Sequence, residues 1–175
     1  MLATFTGVLK GMGFTPETSA EGIQHRWRRD KAQIDVLIPE GVGERAAAGT
    51  GAGGARTIRA PGTTQALKRS ELVTVLVDGR IGTVLRPSLV GALVGKAAAR
   101  TEIASDPAGS RHCSDFVVLA GLVSARDFRE AALERKDRVR LRKMLAYCRR
   151  DVSAMSLENA AEALDRVERA ARLMF

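Results

Sequence analysis

Three charged side chains stand where apolar ones are expected, and each has a chemistry to offer. Asp35 lies in Gln33-Ile34-Asp35-Val36-Leu37-Ile38, otherwise a run of large and branched apolar residues that predicts a β-strand. Lys96 falls on the stripe Leu89-Ala92-Leu93-Lys96-Ala97-Arg100 of a helix expected over 88–103, where an ammonium must reach water or an anion. Asp115 heads the stripe Val118-Leu119-Leu122 of a helix expected over about 110–124, near a helix start that favours a carboxylate. Together they are parts of a metal–nucleotide site, with aspartate for Mg²⁺ and lysine for phosphate. Asp35 also has a plainer reading. With Asp30-Lys31 as a two-residue turn, residues 29 and 32 pair and Arg26 stands opposite Asp35, so a cross-strand ion pair accounts for it. Alternation sets Asp35 on the face of Gln33 and Leu37, opposite Ile34, Val36 and Ile38.

The elements that must position these groups follow from periodicity. A short helix is expected over 1–12, with Leu2, Phe5, Val8, Leu9 and Met12 at helical spacing and Gly13 as a stop. Strands are expected over 23–29 and 32–38, a surface loop over 41–55, a short strand over 57–60, and a helical turn or two over 63–69. Strands 72–77 and 80–85 form a hairpin across Asp78-Gly79, a strong turn signal. From Pro87 onward the pattern is helical: 88–103, about 110–124, near 127–150 and 157–173. The last helix carries Leu157, Ala160, Ala161, Leu164, Val167, Ala171 and Leu173 or Met174 as its buried stripe. Strands first and helices second predict an α+β fold, with a sheet region over 1–87 and a helical bundle over 88–175.

Composition bounds the rest. At 175 residues the chain can bury a real core, and no apolar run approaches the roughly 18 residues that span a bilayer. The N-terminus does not read as a signal peptide. Cys113 and Cys148 belong to no Cys-x-x-Cys or Cys/His pattern, so a reduced cytoplasm is the expected setting. Neither His25 nor His112 has a partner at metal or triad spacing. Gly49-Thr-Gly51-Ala-Gly53-Gly54 matches GxGxxG, but an Ala run precedes it and a strand is expected after it. It reads as a loop, not a dinucleotide site. The net charge of +8 favours polyanionic partners. Six of the nine residues from Arg135 to Lys143 are basic, either as a solvated helix face or as a surface for nucleic acid or nucleotide phosphates.

The ordered set Gly13-Phe14, His25-Arg26, Ile34-Asp35-Val36-Leu37-Ile38-Pro39, Pro61-Gly62-Thr63-Thr64-Gln65-Ala66-Leu67, Arg86 to Ala99 and Arg111 to Leu119 resembles the AbiEii-like nucleotidyltransferases. These are toxin components of abortive-infection and toxin–antitoxin systems, and the likeness covers roughly residues 1–125. The resemblance implies a nucleotidyltransferase-like mixed sheet followed by a helical bundle, and a cytoplasmic enzyme using an NTP and Mg²⁺ on an RNA or protein acceptor. A cognate antitoxin and no membrane partner go with that family. By the same resemblance, Asp35 matches a catalytic, metal-binding acid, Lys96 a nucleotide-phosphate contact, and Asp115 a late helix aspartate that assists catalysis or holds the site together. Family members begin with a Gly-Gly or Gly-Ser turn and Asp-x-Asp, and this chain contains no Asp-x-Asp. Two-metal phosphoryl transfer needs several carboxylates. The expectation is therefore a truncated or degenerate relative, weakly active or inactive as this chain. The alternative is a non-catalytic basic protein that binds nucleic acid or a partner.

Overall fold

Trp27, Phe14, Leu9 and Val36 are the large apolar side chains buried together in the first sixty residues, and the elements there are arranged to cover them. The computed structural model describes residues 2–40, 58–103 and 109–173. Helix α1 (Leu2–Gly11) turns Leu9 and Thr6 inward. Phe5, Val8 and Met12, expected on its buried stripe, are exposed. Strands β1 (Thr15–Glu17), β2 (Arg26–Arg29) and β3 (Ala32–Asp35) form an antiparallel ladder in that order. Arg29 pairs with Ala32 across Asp30-Lys31, where Asp30 takes the left-handed φ of 52° that such a turn demands. After Val36 the chain pairs anew. Strand β4 (Leu37–Pro39) lies parallel to β5 (Ile58–Ala60). The expected loop at 41–55 falls outside the described residues.

The contacts group the chain into two compact units, Met1–Ala60 and Pro61–Phe175. The change from strands to helices near residue 87 lies inside the second. That unit opens with α2 (Thr63–Lys68) and the hairpin of β6 (Ser70–Val77) and β7 (Arg80–Pro87), paired in register from Ser70–Pro87 to Val77–Arg80. Helices α3 (Leu89–Glu102), α4 (Gly109–Leu122), α5 (Ala125–Glu130), α6 (Arg135–Cys148), α7 (Val152–Met155) and α8 (Ala160–Ala170) follow. The fold is α+β, with the strands among the described residues divided over three small ladders.

The bundle core gathers Val90, Leu93, Val94 and Ala97 of α3, Phe116 and Val117 of α4, Leu141, Met144 and Leu145 of α6, and Leu164 and Val167 of α8. One expected stripe is rotated. On α4 the buried face is Cys113, Phe116, Val117 and Ala120, while Val118 and Leu122 are exposed. From α8 onward the expected stripe holds, with Ala160, Leu164, Val167, Ala171 and Leu173 buried and only Ala161 exposed, Ala163 being buried in its place. Helix α2 sits close against α3: a Cβ on Gly62, at φ 80°, would come within 2.7 Å of Ala98 Cβ and 2.8 Å of Gly95 Cα.

The helix expected near 127–150 is two helices, broken over residues 131–134. Arg69 explains the break. Its guanidinium donates to the Ala131 carbonyl at 2.8 Å, to the Ala132 carbonyl at 3.2 Å and to Asp137 Oδ2 at 2.7 Å. Asp137 Oδ2 also accepts from the Glu134 amide at 3.1 Å, capping the start of α6. Asp137 is wholly buried, at 0% exposure. Removing one partner of such a pair leaves an uncompensated buried charge. We expect Asp137→Ala to lower unfolding free energy by about 3–5 kcal/mol. Leu72→Lys and Ile81→Lys, on the exposed hairpin, should each shift it by no more than about 0.5 kcal/mol. Urea denaturation of the three variants checks this ordering.

Candidate functional site

Helices α3 and α4 pack on each other through Leu93, Ala97, Cys113 and Phe116, all buried. That packing carries Lys96 and Asp115 to the rim of the contact. Lys96 Nζ donates to Asp115 Oδ2 at 2.5 Å, with the side chains 34% and 37% exposed. The aliphatic stem of Lys96 runs beside the apolar seam and its head finds the anion that the sequence position demanded. Asp115 lies in the second turn of α4, which has no acid in its first turn. Its charge is therefore held by Lys96 and not by the helix dipole, which fades beyond the first turn. An ammonium has three donors, so the pair leaves Lys96 able to contact an oxyanion at the surface.

Asp35 belongs to the first unit. The register puts Arg26 directly opposite it, and Arg26 binds both carboxylate oxygens, Nε to Oδ1 at 3.0 Å and Nη2 to Oδ2 at 3.3 Å. Gln33 Nε2 adds contacts at 3.3 and 3.4 Å. The Arg26 hydrogen bond holds the Asp35 carboxyl below its ordinary value, against the opposing effect of partial burial. Ile34, Val36 and Ile38 face inward while Gln33, Asp35 and Leu37 face out, as alternation requires. The ion-pair reading of Asp35 is what the structure contains. A guanidinium in bidentate contact is the wrong neighbour for a divalent cation. Among the described residues no three His, Cys, Asp or Glu side chains gather as a metal centre would need. The donor set around Asp35 does not fit Mg²⁺.

The basic stretch of α6 divides between surface and core. Arg135, Lys136 and Lys143 are exposed, Arg138 and Arg142 are half-buried, and Arg140 is buried. Arg140 Nε and Nη2 both lie 2.7 Å from Glu102 Oε1, and its Nη1 lies 3.7 Å from Asp137 Oδ1. Arg138 donates to the Ala171 carbonyl. Sequence reasoning singled out neither the Arg69–Asp137 nor the Arg140–Glu102 pair. A signal was present: Asp137, Arg140, Leu141, Met144, Leu145 and Cys148 recur at helical spacing, and that stripe is buried. Cys113 and Cys148 are free and buried, and burial raises both thiols above their usual range. They are packed thiols, not thiolates.

Because the Asp35 carboxyl is lowered in the folded chain, its contribution is present above the ordinary carboxyl value of about 3.9. It is lost as pH falls from there through the folded value. For a pair this exposed, Asp35→Asn should cost no more than about 1 kcal/mol at neutral pH. The stabilities of variant and parent should converge below about pH 3.9, which urea titrations across that range would reveal.

No protein-family model, no curated protein and no solved structure matches this chain.

Proposed function

We propose that this chain is a nucleotidyltransferase-like protein of toxin–antitoxin or abortive-infection type. On this reading it binds the phosphates of an NTP through Lys96 and transfers little or nothing alone. The observation that supports it most is the Lys96–Asp115 pair: two residues chosen for nucleotide chemistry, 19 positions apart, in direct contact at 2.5 Å. Asp115 is the positioning residue, holding the ammonium at the surface with donors to spare, and Lys96 is the phosphate contact. Asp35 sits in a structural ion pair with Arg26. Magnesium and transfer to an RNA or protein hydroxyl would require the carboxylates of an Asp-x-Asp segment, which the chain lacks. A cognate antitoxin is the protein partner this reading names.

A second reading is a non-catalytic basic protein that binds nucleic acid or a partner. What favours it is the exposed set Arg135, Lys136 and Lys143 on one helix, in a chain of net charge +8.

Titration with each NTP in Mg²⁺ buffer tests the first reading. Charge-assisted hydrogen bonds contribute about 1.5–3 kcal/mol, so Lys96→Ala should weaken NTP binding by roughly 10- to 100-fold. Labelled NTP incubated with total RNA should give no transfer. Unchanged NTP binding in Lys96→Ala would remove the phosphate role. Robust transfer that disappears in Asp35→Ala would overturn the inactivity.

A further inference from the structure

Two helix ends in the second unit turn on left-handed residues that are not glycine: Ala132 at φ 44° after α5, and Arg172 at φ 52° after α8. Glycine is the ordinary occupant of such a position, and an arginine there carries backbone strain. Both residues line the same cleft of about 300 Å³, together with Arg129, Arg138, Leu133 and the buried Phe128. Three arginines thus line one small hollow. Among the described residues no aspartate or glutamate lines it, and the acids nearest in sequence are engaged elsewhere. Glu130 accepts from Arg126 at 2.7 Å, Glu134 from Lys68 and Gln65, Asp137 from Arg69 and Glu168 from Arg149 at 2.6 Å.

Helix dipoles do not neutralise this cluster. The C-terminal ends of α5 and α8 each bring a partial charge of about −0.5 at most, and Arg138 already answers one of them through the Ala171 carbonyl. Roughly two positive charges remain over the hollow. Arg129 and Arg172 are exposed and Arg138 half-buried, so the fork-shaped donors reach an anion without dismantling the core.

We propose that this cleft is a binding site for a phosphate oxyanion, held by Arg129, Arg138 and Arg172. The phosphate comes either from a free compound or from an RNA backbone. The inference builds on the second reading, polyanion affinity, and not on nucleotidyl transfer through Lys96.

The probes are inorganic phosphate and a short single-stranded RNA. Phosphate should raise the melting temperature above that in chloride of equal ionic strength, and RNA binding should be read by fluorescence anisotropy. The variants are Arg129→Gln and Arg172→Gly. The second relieves the left-handed strain, so it should melt at the parent's temperature or above in chloride while binding at least fivefold less. That combination separates binding from a merely structural role. If RNA is the source, the slope of log K against log salt should fall by about 1 in each variant. Response to phosphate alone identifies a free compound as the source, and response to RNA a backbone. Lys96→Ala should leave both responses intact, whereas it alone should weaken NTP binding. An Arg111→Gln, Arg150→Gln protein serves as the control for general charge. The proposal is overturned if neither probe binds, or if the cleft variants and the control bind like the parent.

Discussion

A single guanidinium holds the second unit in register. Arg69 donates to the carbonyls of Ala131 and Ala132, to Gln65 Oε1 at 2.8 Å and to Asp137. Its own carbonyl accepts from the Ser88 amide at 2.6 Å. One residue thereby joins the end of α2, the base of the hairpin, the start of α3, the end of α5 and the cap of α6. Only a planar fork with five donors could do this, because a lysine offers one point charge. Burying such a pair costs several kcal/mol of lost hydration per ion. The cost is offset because its donors meet protein acceptors. A core so arranged favours one geometry over its neighbours, since each alternative strands a charge.

That constraint also marks how far local reasoning reaches. The Asp30-Lys31 turn, the Arg26–Asp35 pairing and the Asp78-Gly79 hairpin were legible because each is decided within about ten residues. So was the contact between Lys96 and its anion, in the limited sense that the stripe demanded one. The break between α5 and α6 was not. Residues 127–150 contain neither proline nor glycine; Asp137 caps the second helix locally, but the donor to the carbonyls after the first comes from Arg69, more than sixty positions away. The stripe of α8 was legible but for Ala161, whereas that of α4 failed by one or two positions, a matter of which of several apolar residues the neighbouring helices select.

The charges of α6 show the same dependence on partners. A run of basic residues suggests a solvated face, yet Arg140 has a side-chain exposure of only 4%. Glu102, near the end of α3, accepts it, and Asp137 one turn back lies beside it. Removing an arginine from water is tolerable because both acids stand beside it, Asp137 held by Arg69 and Glu102 also within 3.5 Å of Lys136. The inward arginines thus follow from the same lock that divides α5 from α6. Because each inward arginine takes an acid with it, the net charge of +8 is unchanged and is carried by the residues outside these pairs.

The hairpin presents the converse. Leu72 pairs across the ribbon with Leu85 and Leu76 with Ile81, and since residues two apart share a face, these four form one aliphatic surface. Leu72 is 74% exposed. Apolar type therefore does not fix burial, just as positive charge does not fix exposure. Two strands alone have no second layer to cover them, and a two-stranded ribbon is marginal in water. This one is pinned at its base, where the Arg69 carbonyl accepts from the Ser88 amide and the Ser70 hydroxyl donates to the Leu67 carbonyl at 2.7 Å. Anchorage at one end, and not burial along the length, is what the bundle supplies to β6 and β7. The ribbon's order is borrowed from the same junction that orients the helices.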